Sequence, residues 1–529
     1  MSKSLQNISV VAAATMVSRF LGLGRDMLVT AVFGLSGLAD AFYTAFTLPN
    51  LFRRLLGEGA LTAAFVPTLN DELQARQRAG AFALVNTVTS WLCLVCGSIV
   101  LVAMAALVVA SRLASASGGW GINAATVQRW LAAADLAVIL FPYLVFVCLA
   151  AVFSAALQTL QRFLEPALSP IWLNIAMIGL LGGAAYGGWA NSGEARMLWL
   201  CGGALLGGFL QMAVPAGALM REGWRPRFDL TINDPLRQIV VLMGPTIFGS
   251  AIYLINMAVS RFIGLSLAES AVTVLNLATR LMELPIGVFA VAVSTVIFPL
   301  IAKHAAAGDW ASLASDYRKG MRLILVINVP AAVGLMILAE PIIRLLFQRG
   351  AFAAGDTALM TPVLIVFALG LPWFSFVNIV LRAFYAQKDT RTPVHAALIS
   401  FGVNLVLSLG LMGPLGTIGL AVASNVAVVA QAVYLQTRLA RMRPGLEFHP
   451  ILGDLRKVFL GAAMMGVVVA AGWWVRTAVF SASRWTDAVA LAGVIGAGIT
   501  VYVAVLWRLR IEGRDDLSAL GRRLRAKLG

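Results

Sequence analysis

Hydrophobic residues in this chain run in blocks of about twenty, divided by short polar stretches. At 1.5 Å rise per residue, such a block matches the roughly 30 Å hydrocarbon core of a bilayer. Fourteen blocks are readable: 8–33, 38–56, 82–110, 132–158, 166–188, 198–220, 238–260, 271–301, 323–347, 358–381, 393–412, 416–437, 458–475 and 488–507. The stretches between them are too short for a folded extramembrane domain. The pattern predicts an all-α polytopic membrane protein of about fourteen transmembrane helices. The first block carries two arginines and no small-residue cleavage site, so it reads as a span and not as a cleavable signal.

Composition agrees. Of 529 residues, 60% are hydrophobic and 12% charged, and the mean hydropathy is +0.87. A soluble chain has about twice that charged fraction. The net charge of +16 reflects loops on one side of a membrane more than nucleic-acid binding. With the N-terminus in the cytoplasm, 29 Lys and Arg fall on the cytoplasmic side and 8 on the other, which places both termini inside. Cys93 and Cys96 form a C-x-x-C one turn apart in an apolar block, where packing is expected over redox or zinc chemistry. Three histidines give no multi-His metal centre. No cofactor is expected. Walker A, DFG and H-E-x-x-H patterns are missing from the sequence, which argues against ATP hydrolysis and zinc peptidase chemistry.

A weak internal repeat has an offset near 230. The stretch Phe141-Pro142-Tyr143 resembles Leu371-Pro372-Trp373, and an intramembrane asparagine, Asn174 or Asn404, follows each proline by 32 residues. Leu48-Pro49 matches Leu284-Pro285 at offset 236, and Phe65-Val66-Pro67 roughly matches Ile297-Phe298-Pro299 at 232. An offset of six helices preserves orientation and predicts two six-helix lobes in parallel repeat. The expected divisions are 1–222 (spans 1–6), 223–445 (spans 7–12), 446–508 (two appended spans) and 509–529, a basic tail.

Charges inside spans carry the functional argument. A charge at mid-membrane costs about 2.5–3.5 kcal/mol on insertion scales, so it faces a wet cavity or a partner. Span 1 holds Ser18-Arg19-Phe20-Leu21-Gly22-Leu23-Gly24-Arg25-Asp26. Residues six apart do not share a helical face, so a kink at Gly22 and Gly24 is expected if both guanidiniums meet one cavity, with Asp26 pairing one of them. Span 2 opens on Asp40 and ends in Pro49-Asn50-Leu51-Phe52-Arg53-Arg54-Leu55-Leu56-Gly57-Glu58. Arg54 and Glu58 are i, i+4 and suit either an ion pair or positive-inside anchoring. Span 8 holds Arg280 and Glu283, three apart. Guanidinium forks match phosphate oxygens, so Arg19, Arg25 and Arg280 point to an anionic substrate, phosphate or pyrophosphate.

At these positions the chain resembles the MurJ (MviN) family of lipid II flippases, in the multidrug/oligosaccharidyl-lipid/polysaccharide exporter superfamily. The likeness is carried by Ser18-Arg19-x-Leu21-Gly22-x-x-Arg25-Asp26, Asp40-Ala41-Phe42, Leu48-Pro49-Asn50-Leu51-x-Arg53-Arg54, Glu58-Gly59-Ala60, Phe65-Val66-Pro67, Met243-Gly244-Pro245 and Arg280-Leu281-Met282-Glu283-x-Pro285. Thr279 departs from the pattern, in which an acid can stand beside the arginine.

The resemblance implies a V-shaped bacterial inner-membrane transporter, not an enzyme. It would move lipid II, the undecaprenyl-pyrophosphate-linked peptidoglycan precursor, to the periplasmic face by alternating access for cell wall biosynthesis. Arg19, Arg25 and Arg280 would contact the pyrophosphate, with Ser18 beside the headgroup. Asp26, Asp40, Asn50, Arg53, Arg54, Glu58 and Glu283 would line the cavity or a gate, and the appended spans would hold the lipid tail.

Two related functions share much of this pattern. A flippase for another undecaprenyl-linked glycan would need the same arginines. A multidrug or cation exporter would favour acids and aromatics instead. A membrane glycosyltransferase or phosphatase would need metal-binding acids or a His nucleophile, and His304, His395 and His449 have no acidic cluster beside them in sequence. The coupling ion is open; Asp26, Asp40, Glu58 and Glu283 are its candidate carriers. In the tail, Leu517, Leu520, Leu524 and Leu528 recur on one helical face among arginines, predicting a basic amphipathic helix on the anionic leaflet.

Overall fold

The computed structural model describes residues 3–53, 61–116, 123–286, 291–443, 445–447, 452–480 and 483–511. Arg54, Glu58 and the tail helix beyond Ile511 lie outside the described residues.

The described chain is helical. Its elements are α1 (Lys3–Phe33), α2 (Gly37–Phe52), α3 (Leu61–Ala116), α4 (Ala124–Leu140), α5 (Tyr143–Thr159), α6 (Leu164–Tyr186), α7 (Gly193–Arg221), α8 (Asp234–Leu267), α9 (Ala271–Pro285), α10 (Val291–Ala307), α11 (Trp310–Ile337), α12 (Ala339–Phe347), α13 (Ala354–Ala386), α14 (Arg391–Met442), α15 (Leu452–Val479) and α16 (Arg484–Arg508). In lipid every backbone polar group needs an internal partner, which leaves the helix as the available form for these apolar blocks. Side chains satisfy several exposed helix starts: Asn233 accepts from Leu236 N–H at 3.0 Å and Asp309 from Ser312 N–H at 3.1 Å.

All fourteen hydrophobic blocks fall on described helices or helix pairs to within two residues, apart from positions 54–56 and 287–290, which lie outside the described residues. On length and composition, eight described helices could cross a membrane, or nine if the pair α4–α5, bent by 45°, is one span. That bend falls at Phe141-Pro142, inside a block predicted as one segment. Helix α3 outruns its block and breaks at Arg76 and Gln77, where Gln77 adopts φ 55°, ψ −154°. A Cβ on Gly80 would come within 2.5 Å of Arg76 Cβ, so the chain needs glycine where the two arms of α3 crowd. Helix α14 joins the eleventh and twelfth blocks through Gly416, at φ 56°.

The chain packs as two units, Met1–Thr273 with Arg349–Phe352, and Val274–Gln348 with Ala353–Gly529. In the first unit α6 lies between α1 and α7, and α3 packs on α5 and α8. Gly203 and Gly207, four apart on α7, let it approach α6 closely: a Cβ there would lie 2.8 Å from Met177 Cα or 2.7 Å from Leu173 Cα.

A polar knot closes one end of this unit. Arg162 donates to Glu222 at 2.7 Å and to Glu165 at 2.6 Å, and Arg78 pairs with Glu222 at 3.3 Å. The Arg162 hydrogen bond holds the Glu222 carboxyl below its usual range.

In the second unit α11 packs on α10, α13 and α15, and α15 pairs with α16. The α15–α16 hairpin is tied to this unit at both ends. Asp454 on α15 forms an ion pair with Arg322 on α11 at 2.7 Å. At the other end Asp487 on α16 meets Arg344 of α12 at 3.3 Å and also pairs with Arg476 of α15. Between these, Tyr502 O–H donates to Val326 O at 2.6 Å.

Candidate functional site

Helix α1 stays helical through Gly22 and Gly24, with none of the non-helical backbone angles that interrupt α3 and α14. The expected kink is therefore not a break in the helix, and Arg19 and Arg25 leave α1 on different faces. Arg19 and Ser18 are half-buried.

Arg25 turns into the first unit. Its Nε and Nη2 donate to Asp26 Oδ1 at 3.1 and 2.8 Å. Its Nη1 donates to Asn174 Oδ1 on α6 at 3.2 Å and lies 3.9 Å from Met177 Sδ. The Arg25 side chain is 11% exposed and that of Asp26 1%. A buried arginine with an adjacent carboxylate keeps its charge without leaving it unpaired in lipid. Tyr43 of α2 and Tyr143 of α5 lie within electrostatic reach of the guanidinium, and Tyr143 O–H donates to Gln211 on α7 at 3.2 Å.

Asp40 sits in the first turn of α2 and is fully buried. Its carboxylate accepts from Thr273 N–H at 2.7 Å, from the Thr273 hydroxyl, and from Val272 N–H at 3.4 Å. It thus caps the start of α9, where N–H groups have no partner within the helix. The favour is returned: Glu269, just before α9, accepts from Gly37 N–H at the start of α2 at 2.8 Å. Each of these two helix ends is capped by a carboxylate from the other segment. Arg129 and Trp130 of α4 add hydrogen bonds to Ser266, at 3.2 and 3.1 Å.

The amide of Asn50 is spent on its own helix, donating to Phe46 O at 2.7 Å next to Pro49. Arg53 is half-buried at the end of α2 and its N–H bonds back to Asn50 O and Pro49 O.

In the second unit, α9 carries a polar stripe. Asn276, Thr279, Arg280 and Glu283 recur at i, i+3, i+4 and i+7 and are half-buried or exposed, while Leu277, Ala278, Leu281 and Met282 are buried. Shifted back by the repeat offset of 236, this stripe falls on Asp40, Tyr43, Thr44 and Thr47 of α2. At positions related by that offset, α2 has the acid Asp40 where α9 has Asn276, and α9 has Arg280 where α2 has Thr44.

Sequence reasoning marked Asn174 only as a repeat position, and missed Thr273, Glu269 and Gln211. Backbone donors leave no trace in residue identity, and a neutral amide raises none of the cost that flags a charge. The repeat spacing was the available signal for Asn174. Its counterpart Asn404 meets a different partner, accepting from Ser424 Oγ at 3.5 Å.

Residues 29–486 match the family model described as lipid II flippase MurJ. The chain belongs to the MurJ family. A probable lipid II flippase MurJ of Rhizobium meliloti (strain 1021) is 33% identical, over 98% of this chain and 96% of its own length. One from Vibrio cholerae is 30% identical, over 96% of each. Among solved structures, a lipid II flippase MurJ in an inward closed conformation superposes with a TM-score of 0.76 at 26% identity, over 96% of this chain and 99% of that one. An inward-facing multidrug resistance MATE family transporter shares the fold, with a TM-score of 0.64 at 14% identity over 82% of this chain and 98% of that one. This MurJ family chain is therefore a polytopic membrane transporter and not an enzyme.

Proposed function

We propose that this protein is a lipid II flippase of the bacterial inner membrane. It moves the undecaprenyl-pyrophosphate-linked peptidoglycan precursor from the cytoplasmic to the periplasmic face, with both of its own termini cytoplasmic. The observation that carries the reading is the family match over nearly the whole chain. Intramembrane arginines in both units support it, because they suit a doubly anionic linkage better than an organic cation.

In this reading Arg19, Arg25 and Arg280, with Ser18 beside them, receive the pyrophosphate. Asp26, Asn50, Arg53, Arg54, Glu58 and Glu283 line the path or its cytoplasmic gate. Asp40 holds the gate at the start of α9. Segments 1–222 and 223–445 act as the two lobes of alternating access. Spans 13 and 14, within 446–508, carry the lipid tail, and 509–529 anchors to the anionic leaflet.

Depletion of the protein tests this directly. Lipid II should accumulate on the cytoplasmic face while its synthesis continues. In complementation at native expression, Arg280→Ala should fail and Arg280→Lys should rescue in part, since lysine lacks the planar fork. Unchanged lipid II sidedness on depletion would sink the function. Full activity of Arg280→Ala would remove that residue from the site.

A further inference from the structure

Asn174 is buried on α6 and makes three hydrogen bonds that fix its amide in one orientation. Its Nδ2 donates to Pro170 O at 3.1 Å, one turn earlier on α6, and to Ser18 O of α1 at 3.3 Å. Both amide hydrogens are thereby used. Its Oδ1 accepts from Arg25 Nη1 at 3.2 Å. A flipped amide would set an NH2 against a guanidinium and an oxygen against two carbonyls, so the flip is excluded on three counts. Asn174 therefore touches both ends of the Ser18–Asp26 motif, the Ser18 carbonyl and the Arg25 side chain.

We propose that Asn174 is a positioning residue for substrate recognition: a neutral acceptor, locked by two helical carbonyls, that aims the Arg25 guanidinium without cancelling its charge. This rests on the reading of Arg25 as a pyrophosphate contact. Asp26 already takes the Nε–Nη2 edge of the guanidinium and offsets its charge. A second carboxylate at position 174 would leave the cluster net negative and repel a phosphate. An apolar side chain there would remove the hold on Nη1 and leave the guanidinium plane pinned by the single oxygen Asp26 Oδ1, about which it can tilt. The second Nη1 hydrogen faces the thioether of Met177, a weak acceptor that a phosphate oxygen outcompetes once the conformation exposes it.

The test is binding of undecaprenyl pyrophosphate to the purified full-length protein, with the thermal midpoint measured alongside. Asn174→Ala should weaken binding by about tenfold or more, the loss of one charge-assisted contact. Asn174→Asp keeps the acceptor toward Arg25 but sets an oxygen against the Pro170 and Ser18 carbonyls and leaves the cluster net negative, so it should weaken binding further and lower the thermal midpoint. The readout that separates positioning from packing is the dependence of the Asn174→Ala effect on the Arg25 guanidinium. Adding Asn174→Ala to Arg25→Lys should cost nothing more, since the group being positioned is already gone.

Three results overturn the inference. Binding by Asn174→Ala and Asn174→Asp at the parent level, with Arg25→Ala unable to bind, removes the positioning role and leaves the functional reading intact. Loss of binding strictly in step with loss of stability, and additive with Arg25→Lys, assigns Asn174 to packing alone. Parent-level binding by Arg25→Ala removes the pyrophosphate reading of Arg25, and the inference with it.

Discussion

A carboxylate that accepts three hydrogen bonds while fully buried is difficult to replace, and Asp40 is such a group. Its donors are two backbone N–H groups and a hydroxyl at the start of α9. Asp40→Asn conserves volume but turns an NH2 toward at least one of those donors. Hydrogen bonds to a charged group contribute about 1.5–3 kcal/mol each, so the loss should be of that order and visible as a lower thermal midpoint in detergent. Thr273→Val removes only the hydroxyl and should cost about 1 kcal/mol. Equal midpoints for Asp40→Asn and the parent would show that the cap contributes no stability. Asp40 was visible in the sequence as a charge at the mouth of a span. Its partner Thr273, 233 positions away, was not, because the contact is made largely by backbone.

Element by element, hydropathy located the helices because each apolar block must be helical in lipid. It did not locate their interruptions. Pro142 marks a bend between α4 and α5, whereas Pro330 and Pro372 lie inside helices that continue. The outcome depends on whether neighbouring helices fill the space around the missing hydrogen bond, and a single sequence does not record that. Close packing was similarly hidden. Gly203 and Gly207 are two of 49 glycines, yet they allow α7 to lie against the α6 backbone. Gly207→Leu should force these helices apart at a cost of about 1–3 kcal/mol or more, read as a lower thermal midpoint; Gly217→Leu, where a Cβ meets nothing within 4 Å, should be tolerated far better.

The knot around Glu222 should respond to acid. Its carboxyl pKa is depressed in the folded protein, chiefly by the Arg162 hydrogen bond. The stability it contributes is thus present above the ordinary carboxylate range and is lost as pH falls through the depressed value. Thermal unfolding followed from neutral to acid pH should show that loss, and Glu222→Gln should flatten it. A pH profile identical in the variant would assign the acid sensitivity to other groups.

At the scale of the molecule, the family match makes this chain a polytopic membrane transporter. The appended α15–α16 hairpin belongs mechanically to the second unit, held by Asp454 at one end and Asp487 at the other. A Cβ on Gly466 of α15 would sit 3.0 Å from Val333 Cγ1 of α11. A disulfide between Val333→Cys and Gly466→Cys should therefore form readily and leave complementation intact even when quantitative. Transport blocked by the crosslink and restored by reduction would show that the hairpin must slide against α11.

The paired caps of Asp40 and Glu269 carry a consequence for solvent. If the starts of α2 and α9 part, two carboxylates and the N–H groups of Gly37, Val272 and Thr273 lose their partners together, and water is the available substitute. Separation at this seam is then a wetting event, and its frequency is written into the deuterium uptake of three backbone amides. A peptide covering 268–273 and another beginning near Gly37 should gain deuterium in concert, faster in Asp40→Asn, while the core of α6 remains protected on the same timescale.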